Sequence, residues 1–423
     1  RRTDLGEAGC QVNTVLVQTS CTQGALPTNR RSTAMTNIIE SISSWTPVDP
    51  SDRLEQLKNR AQSLRPARLV LTDKPSPADL YVYLKTRFGP PNGIHMMLRN
   101  PSSDNMFHWH YTIQVVDGIV LEIVQSHLTT EIIIEGITPP TSTEWDQLII
   151  AIQDDFKEYG PGMSKVRRQL EHWHLFINPY KRLFDVLDKC RTDLISLDID
   201  CATVPPTPRT PEELRRFTDM LQNEGERFED ALRLGVTIRM LAPVLGEAFL
   251  NLLIFLFAKD DIKSDQRLYQ DTIRRSIDIR IKSLHIYCNG FARPVDTESM
   301  SFLEFRTLMK GRNDFLHGNV DPTKLKYDTV YFDYRTVPVF ERQASFGELA
   351  LGHRLIHVEP QRALKDLDTV SRFVGLVVDS LEPNHQELVA AVVRPTSLGW
   401  RPKDGKVGVL FPEHIPHLVL GSS

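Results

Sequence analysis

Three side chains able to do chemistry together lie close in the second half of the chain. Arg312, Asn313 and His317 belong to the segment Arg-Asn-Asp-Phe-Leu-His-Gly near the end of a predicted helix. An imidazole with an ordinary pKa of ~6.5 donates or accepts a proton near neutrality. A guanidinium stays charged and can hold two phosphate oxygens, while the amide can hydrogen-bond the imidazole or a ribose hydroxyl. These residue types suit metal-free RNA cleavage, in which the ribose 2′-hydroxyl attacks the adjacent phosphate.

The spacing of the three residues limits how they can meet. Asn313 and His317 are four residues apart, so a helix points both to nearly the same side. Arg312 and His317 are five apart, so their directions diverge by ~140°. One helix therefore brings them to a single phosphate only if the arginine curls back or a second chain supplies the partner.

The segment resembles the R-x(4–6)-H motif of ribonucleases of the HEPN (higher eukaryote and prokaryote nucleotide-binding) superfamily. The resemblance implies a helical bundle over about 209–385 that forms a homodimer, with both motifs lining one cleft. Most such proteins are metal-independent endoribonucleases of toxin–antitoxin, phage-defence and stress systems, so RNA and an antitoxin or regulatory protein are the implied partners. Arg312, Asn313 and His317 match the motif as catalytic residues, and no cofactor is implied.

Two other interpretations of the same segment remain open. Some HEPN proteins have lost activity and bind nucleotide or RNA, or assemble larger complexes. Alternatively, Gly318 simply ends the helix, His317 complements the helix dipole, and the motif is accidental in a helical scaffold.

Four basic residues precede or flank the motif and form a weaker candidate for RNA binding: Arg274, Arg275, Arg306 and Lys310. The functional interpretation is a track for the RNA backbone beside the cleft. The alternative is a solvated helix face whose charge is balanced by acidic residues such as Asp271.

Two His-Trp-His segments are the only candidates for metal ligands. His108 and His110 would share one face of a strand, whereas His172 and His174 are expected in a helix, where they diverge. Neither pair has an acidic or cysteine ligand at recognisable spacing, so we predict no metal site.

Composition indicates a soluble protein. The 423 residues carry a net charge of −4 with 41% hydrophobic residues, and the five cysteines form no Cys-x-x-Cys pair. A reducing, cytoplasmic location fits this cysteine usage. The segment 241–258 is as long as a bilayer span, but it contains Pro243, Glu247 and Asn251, so we predict a buried core helix and no membrane association.

Hydrophobic periodicity predicts an α+β protein. A mixed α/β domain is expected over 36–200, with an antiparallel sheet, and residues 1–34 are expected to be disordered or a non-native leader. Short β-branched or aromatic runs predict six strands, at 67–72, 80–84, 94–98, 107–116, 119–124 and 131–134. Asp117-Gly118 predicts a hairpin between two of them.

The remainder of the chain is predicted to be an all-α, HEPN-like bundle with a tail. Residues 202–208 are the clearest linker, and a capping box at Thr210–Glu213 opens a long helix, expected to be interrupted near Pro243. Further helices are predicted over 265–288, from a second capping box at Ser301 to near Gly318, and over 361–382. A small hairpin is predicted within 327–340, and 386–423 is a tail with weak strands at best.

Overall fold

The computed structural model describes residues 31–58, 66–100, 105–116, 118–127, 129–199, 209–318, 322–326, 328–341, 355, 358 and 360–411. Its secondary structure is mixed α+β, as predicted. The chain divides into two units, Arg1–Leu170 and Glu171–Ser423. The expectation for residues 1–34 falls largely outside the described residues, although a helix already begins at Arg31.

The N-terminal unit is built on a five-stranded antiparallel sheet with strand order β1-β3-β4-β5-β2. Its strands are β1 (Thr46–Pro47), β2 (Ala67–Leu71), β3 (Phe107–Val116), β4 (Ile119–Ser126) and β5 (Thr130–Glu135). Four of the six predicted strands are confirmed. The predicted hairpin is also confirmed, since β3 pairs with β4 and Gly118 has a φ of 76°.

In the described part of this unit, four helices accompany the sheet: α1 (Arg31–Glu40), α2 (Pro50–Lys58), α3 (Pro77–Phe88) and α4 (Ser142–Gln169). Residues from α1, α3 and α4 form one hydrophobic core with apolar side chains of the sheet, such as Tyr111 and Ile123. The opposite sheet face carries polar side chains, among them His110 and Glu122.

Two predicted strands of this unit are wrong. Residues 80–84 lie inside α3, which begins at Pro77 and is capped by the Ser76 side chain. This short apolar run is buried almost throughout, and burial on several sides removes the periodicity that separates strand from helix. Residues 94–96 form a 3₁₀ turn, after which Met97 and Leu98 are exposed.

Buried charges cover the polar face of the sheet. Arg53 of α2 donates hydrogen bonds to Glu122 and Glu135, at 2.9 and 2.6 Å. His110 is buried beside them, its Nε2 being 3.8 Å from Glu122. Burial, together with the nearby His95 and Arg53, lowers the pKa of His110 to about 3.

The low pKa of His110 predicts acid sensitivity. In the unfolded chain the imidazole titrates near ~6.5, so its contribution to stability is complete above that pH and is lost as the pH falls towards the folded value. We expect the free energy of unfolding to fall by up to ~1.4 kcal/mol per pH unit between about pH 6 and 4 from this group alone. Urea denaturation at several pH values should show a smaller slope for His110→Gln than for wild type. His172→Gln, at an exposed position, is the control, and equal slopes for all three proteins would contradict the prediction.

The C-terminal unit is mainly helical. Its helices are α5 (Pro179–Ser196), α6 (Pro211–Phe257), α7 (Asp260–Ser264), α8 (Gln266–Arg274), α9 (Ile277–Tyr287), α10 (Met300–Leu316), α11 (Pro322–Leu325), α12 (Pro360–Val378) and α13 (Pro383–Val393). Strands β6 (His174–Ile177), β9 (Ser397–Arg401) and β10 (Lys406–Gly408) form one sheet in the order β10-β9-β6, and β7 (Val330–Asp333) pairs with β8 (Val337–Phe340). The predicted hairpin within 327–340 is confirmed.

Helix α6 is the central element of this unit. It begins with the predicted capping box, in which Thr210 accepts from the Glu213 backbone. It runs unbroken through Pro243, so the predicted interruption there is wrong. The most apolar 18 residues of α6 have a mean hydropathy of 2.0, which would suffice for a membrane span. However, 61% of this segment is buried inside the protein. Packing against α5, α10 and α12 gives it the environment of a core helix, as predicted.

The division between the units lies earlier than the predicted boundary at 200–209. Helix α5 packs along α6 and contributes Leu187 and Leu194 to the C-terminal core. Asn178, which is fully buried, caps α5 and also donates to the carbonyl oxygens of Val392 and Pro395, at 3.0 and 3.1 Å. The predicted linker at 202–208 lies outside the described residues.

Several boundaries within the C-terminal unit also differ from prediction. The stretch predicted as one helix over 265–288 is two helices, α8 and α9. The predicted capping box at Ser301 is wrong, because α10 begins earlier, at Met300, and the Ser299 side chain accepts a hydrogen bond from the Phe302 backbone at 3.4 Å. The predicted tail carries α13, β9 and β10. Val389 packs in the main core of the unit, and Leu398 in a smaller cluster with Leu252.

Candidate functional site

Helix α10 carries the motif and presents one side to the core. Phe302, Phe305 and Met309 are buried along that side. Arg312 follows Phe305 by seven residues, so it points within ~20° of the same direction. The cation therefore lies at the end of an apolar stripe, and its side chain is only 17% exposed.

A carboxylate of α6 binds this arginine. Glu247 accepts a hydrogen bond from Arg312 Nη2 at 3.2 Å and one from Arg280 Nη2 of α9 at 3.1 Å. Arg280 is buried and also donates to Asn251 Oδ1 at 2.9 Å. Two guanidiniums thus share one carboxylate, and the Nε atom of each is buried without a hydrogen-bond partner among the described residues. The cluster retains an excess positive charge, which favours an anion next to it.

The shared carboxylate should matter for stability. Replacing Glu247 with Gln leaves two neighbouring guanidiniums without a counter-charge, and we expect a loss of about 2–3 kcal/mol, below the value for fully buried pairs because Glu247 is 24% exposed. Glu304→Gln is the control, since its pair with Arg372 is exposed and should contribute no more than ~1 kcal/mol. Urea denaturation measures both, and equal losses would contradict the role given to Glu247.

His317 and Asn313 lie on the outer side of the motif. Both side chains are exposed, and the His317 backbone donates to the Asn313 carbonyl at 3.1 Å, so the helical turn continues to the histidine. Gly318 follows with a φ of 58°, the left-handed conformation that ends a helix. Asn313 and His317 are thus both open to solvent, whereas the Arg312 side chain is largely buried.

Arg312 lines a cleft of about 750 Å³ between α10 and α12, and most of the residues that line it are charged. Six cationic side chains contribute to its lining: Arg239, Lys310, Arg312, Arg362, Lys365 and Arg372. Four acidic side chains do so as well: Glu304, Asp314, Asp366 and Asp368. Arg239 pairs with Asp366 at 3.1 Å and Arg372 with Glu304 at 2.6 Å. The described residues of the lining therefore have a formal excess of two positive charges.

The four weaker candidates are dispersed. Lys310 lines the cleft, and Arg306 is half-buried on another side of α10. Arg274 is exposed at the end of α8, while Arg275 pairs with Asp271 and donates to the Tyr287 hydroxyl at 2.9 Å. For Arg275, the balanced helix surface is the interpretation that the structure favours.

The histidine pairs form no recognisable metal centre. Within the described ranges, no group of three or more potential ligands is placed to hold a metal ion. The prediction that His172 and His174 lie in a helix is wrong, because His174 begins β6, where its ring stacks on Trp400 with 5.6 Å between centroids.

Sequence reasoning did not predict that Glu247 pairs with Arg312, and it missed the cations of α12. Glu247 had a detectable signal, since it is the one carboxylate in the apolar stretch 241–258, and a charge in such a stretch usually has a partner. The α12 cations had none, because their relation to α10 depends on how two distant helices pack.

Comparison with known proteins gave no match to a protein-family model, to a curated protein or to a solved structure. The likeness to HEPN ribonucleases therefore depends on the motif and on its position at the end of α10.

Proposed function

We propose that this chain is a metal-independent endoribonuclease of the HEPN type, acting as a homodimer in the cytoplasm in a toxin, defence or stress context. The observation that supports this most is the difference between two motif residues at the end of α10, an exposed His317 and a largely buried Arg312. An exposed imidazole lies one turn beyond a guanidinium that lines the cleft. An antitoxin or other regulatory protein is the expected further partner.

The proposed chemistry needs only groups of this chain and the RNA. The ribose 2′-oxygen attacks the adjacent phosphorus and loses its proton to an imidazole, while the bond from phosphorus to the 5′-oxygen breaks and that oxygen gains a proton. The products are a 2′,3′-cyclic phosphate and a 5′-hydroxyl. His317 moves the proton, Arg312 stabilises the charge on the phosphoryl oxygens, and Asn313 orients the imidazole or the ribose.

The divergence within one chain explains why a dimer is proposed. Arg312 points towards α6 and the cleft, whereas His317 points to solvent. A symmetric pair of chains can place the imidazole of one copy over the cleft of the other, and each dimer then holds two equivalent sites.

The direct test is cleavage of a structured RNA by the purified chain in EDTA. We expect products with 2′,3′-cyclic phosphate ends. Retained RNA binding without cleavage would instead favour the second candidate, a non-catalytic HEPN-type module that binds nucleotide or RNA or assembles a complex. The pairing of Arg312 with Glu247 favours that alternative, because it already neutralises part of the charge that catalysis requires.

A further inference from the structure

The cleft between α10 and α12 continues beyond the motif, and its geometry shows which residues lie opposite Arg312. Phe305 of α10 stacks on Phe373 of α12, with 3.9 Å between ring centroids, and Glu304 pairs with Arg372. These contacts place one level of α10 beside one level of α12. From there the cleft is lined by α10 as far as Asp314 and by α12 back to Arg362, so the two helices run antiparallel along it. Seven residues further along α10, Arg312 is level with about residue 365 of α12, because both helices rise ~1.5 Å per residue.

The cations of α12 follow one side of that helix. Arg362, Lys365 and Arg372 are separated by three and seven residues, which is the spacing of a single helical face. All three side chains are exposed and all line the cleft. The row spans ten residues, or ~15 Å, which corresponds to about four stacked nucleotides at ~3.4 Å each.

Two of the four acidic side chains that line the cleft form ion pairs. Asp366 pairs with Arg239 and Glu304 pairs with Arg372, so these two carboxylates are neutralised. Lys310, Arg312, Arg362 and Lys365 share the lining with two further carboxylates, Asp314 and Asp368, and Arg312 belongs to the guanidinium pair that shares Glu247. A cleft lined mainly by charged residues, with an excess of positive charge among those described, suits a chain of phosphates better than an uncharged ligand.

We propose that the α10–α12 cleft binds the phosphate backbone of a single RNA strand, with Arg362 and Lys365 as its principal contacts and Arg312 at its reacting end. This inference rests on the proposed function for the identity of the strand. It keeps Lys310 of the four weaker candidates, adds the cations of α12, and leaves Arg274 and Arg275, near the end of α8, outside the RNA track. Contacts of this kind position the strand and carry no base specificity.

Binding without cleavage provides the test. The probe is a labelled, fully 2′-O-methylated RNA of about twelve nucleotides, which has no 2′-hydroxyl to attack, and its affinity for the full chain is measured over a range of salt concentrations. The double variant Arg362→Gln/Lys365→Gln removes two exposed cations of the cleft. Each phosphate contact to a single strand adds ~0.7 to the slope of log affinity against log salt, so we expect the slope to fall by about 1.4. Circular dichroism checks that the fold is retained.

The matched control removes the same charge from α8, as Arg267→Gln/Arg274→Gln, at two exposed positions. We expect its affinity and slope to equal those of wild type. The proposal is overturned if both variants lose RNA affinity equally, if only the control loses it, or if the wild-type chain binds no RNA. Binding of adenosine monophosphate as tight as that of the RNA would also overturn it, in favour of a single-nucleotide site.

The binding and cleavage assays together show whether the strand site, the nuclease activity or both are correct. If RNA binds through Arg362 and Lys365 but is not cut, the strand site is correct and the nuclease is not. If RNA is cut with 2′,3′-cyclic ends and the cleft variant binds as wild type does, the nuclease is correct and the strand lies elsewhere.

Discussion

Replacement of His317 with Ala is expected to lower the rate of RNA cleavage by ~10²–10⁴-fold, the usual contribution of a positioned acid or base. The histidine is exposed, so the variant should lose no more than ~0.5 kcal/mol of stability. Single-turnover cleavage in EDTA, with the product ends identified, measures the effect. His172→Ala, another exposed histidine of the same unit, is the control and should cut at the wild-type rate. Comparable activity in all three proteins would show that His317 takes no part.

Arg312→Ala should be similarly inactive, and mixing the two inactive chains tests the dimer. If each site uses Arg312 of one chain and His317 of the other, a mixed dimer has one intact site and one with neither group. Random pairing makes half of the dimers mixed, so we expect about a quarter of wild-type activity to return. A mixture as inactive as its components would mean that both groups act within one chain.

The largest expected effect on stability is at Phe305. This side chain is fully buried, stacks on Phe373 at an interplanar angle of 3°, and lies so close to α6 that a Cβ on Gly246 would be 2.5 Å from its ring. Truncation removes a buried contact of the motif helix with both α6 and α12, and Phe305→Ala should lower the free energy of unfolding by ~3–5 kcal/mol.

Chemical denaturation followed by circular dichroism measures this loss. Thr307→Ala, at an exposed position two residues further along the same helix, is the control and should stay within ~0.5 kcal/mol of wild type. A loss below ~1 kcal/mol for Phe305→Ala would mean that the stacked ring pair does not hold α10 in place.

The sequence predicted elements best where a local signal was strong. The capping box at Thr210, the strands over 107–135 and the hairpin after β3 each depend on neighbouring residues, and each was predicted correctly. The prediction of a strand at 80–84 was wrong because most of these residues are buried, which removes the periodicity that separates a strand from a helix. The prediction of a break at Pro243 was also wrong. Helix α6 is packed inside the protein and continues through a residue that ends helices in isolation.

For the site, the sequence alone determined the residue types and the divergence of Arg312 from His317, because helical geometry fixes the angle between two side chains of one helix. Only the tertiary structure determined that Arg312 shares Glu247 with Arg280 and faces α12 across a cleft lined mainly by charged residues. Those partners lie between 32 and 65 residues away from Arg312 along the chain. Their proximity follows from the packing of α6, α9, α10 and α12 around one core, which no local pattern encodes.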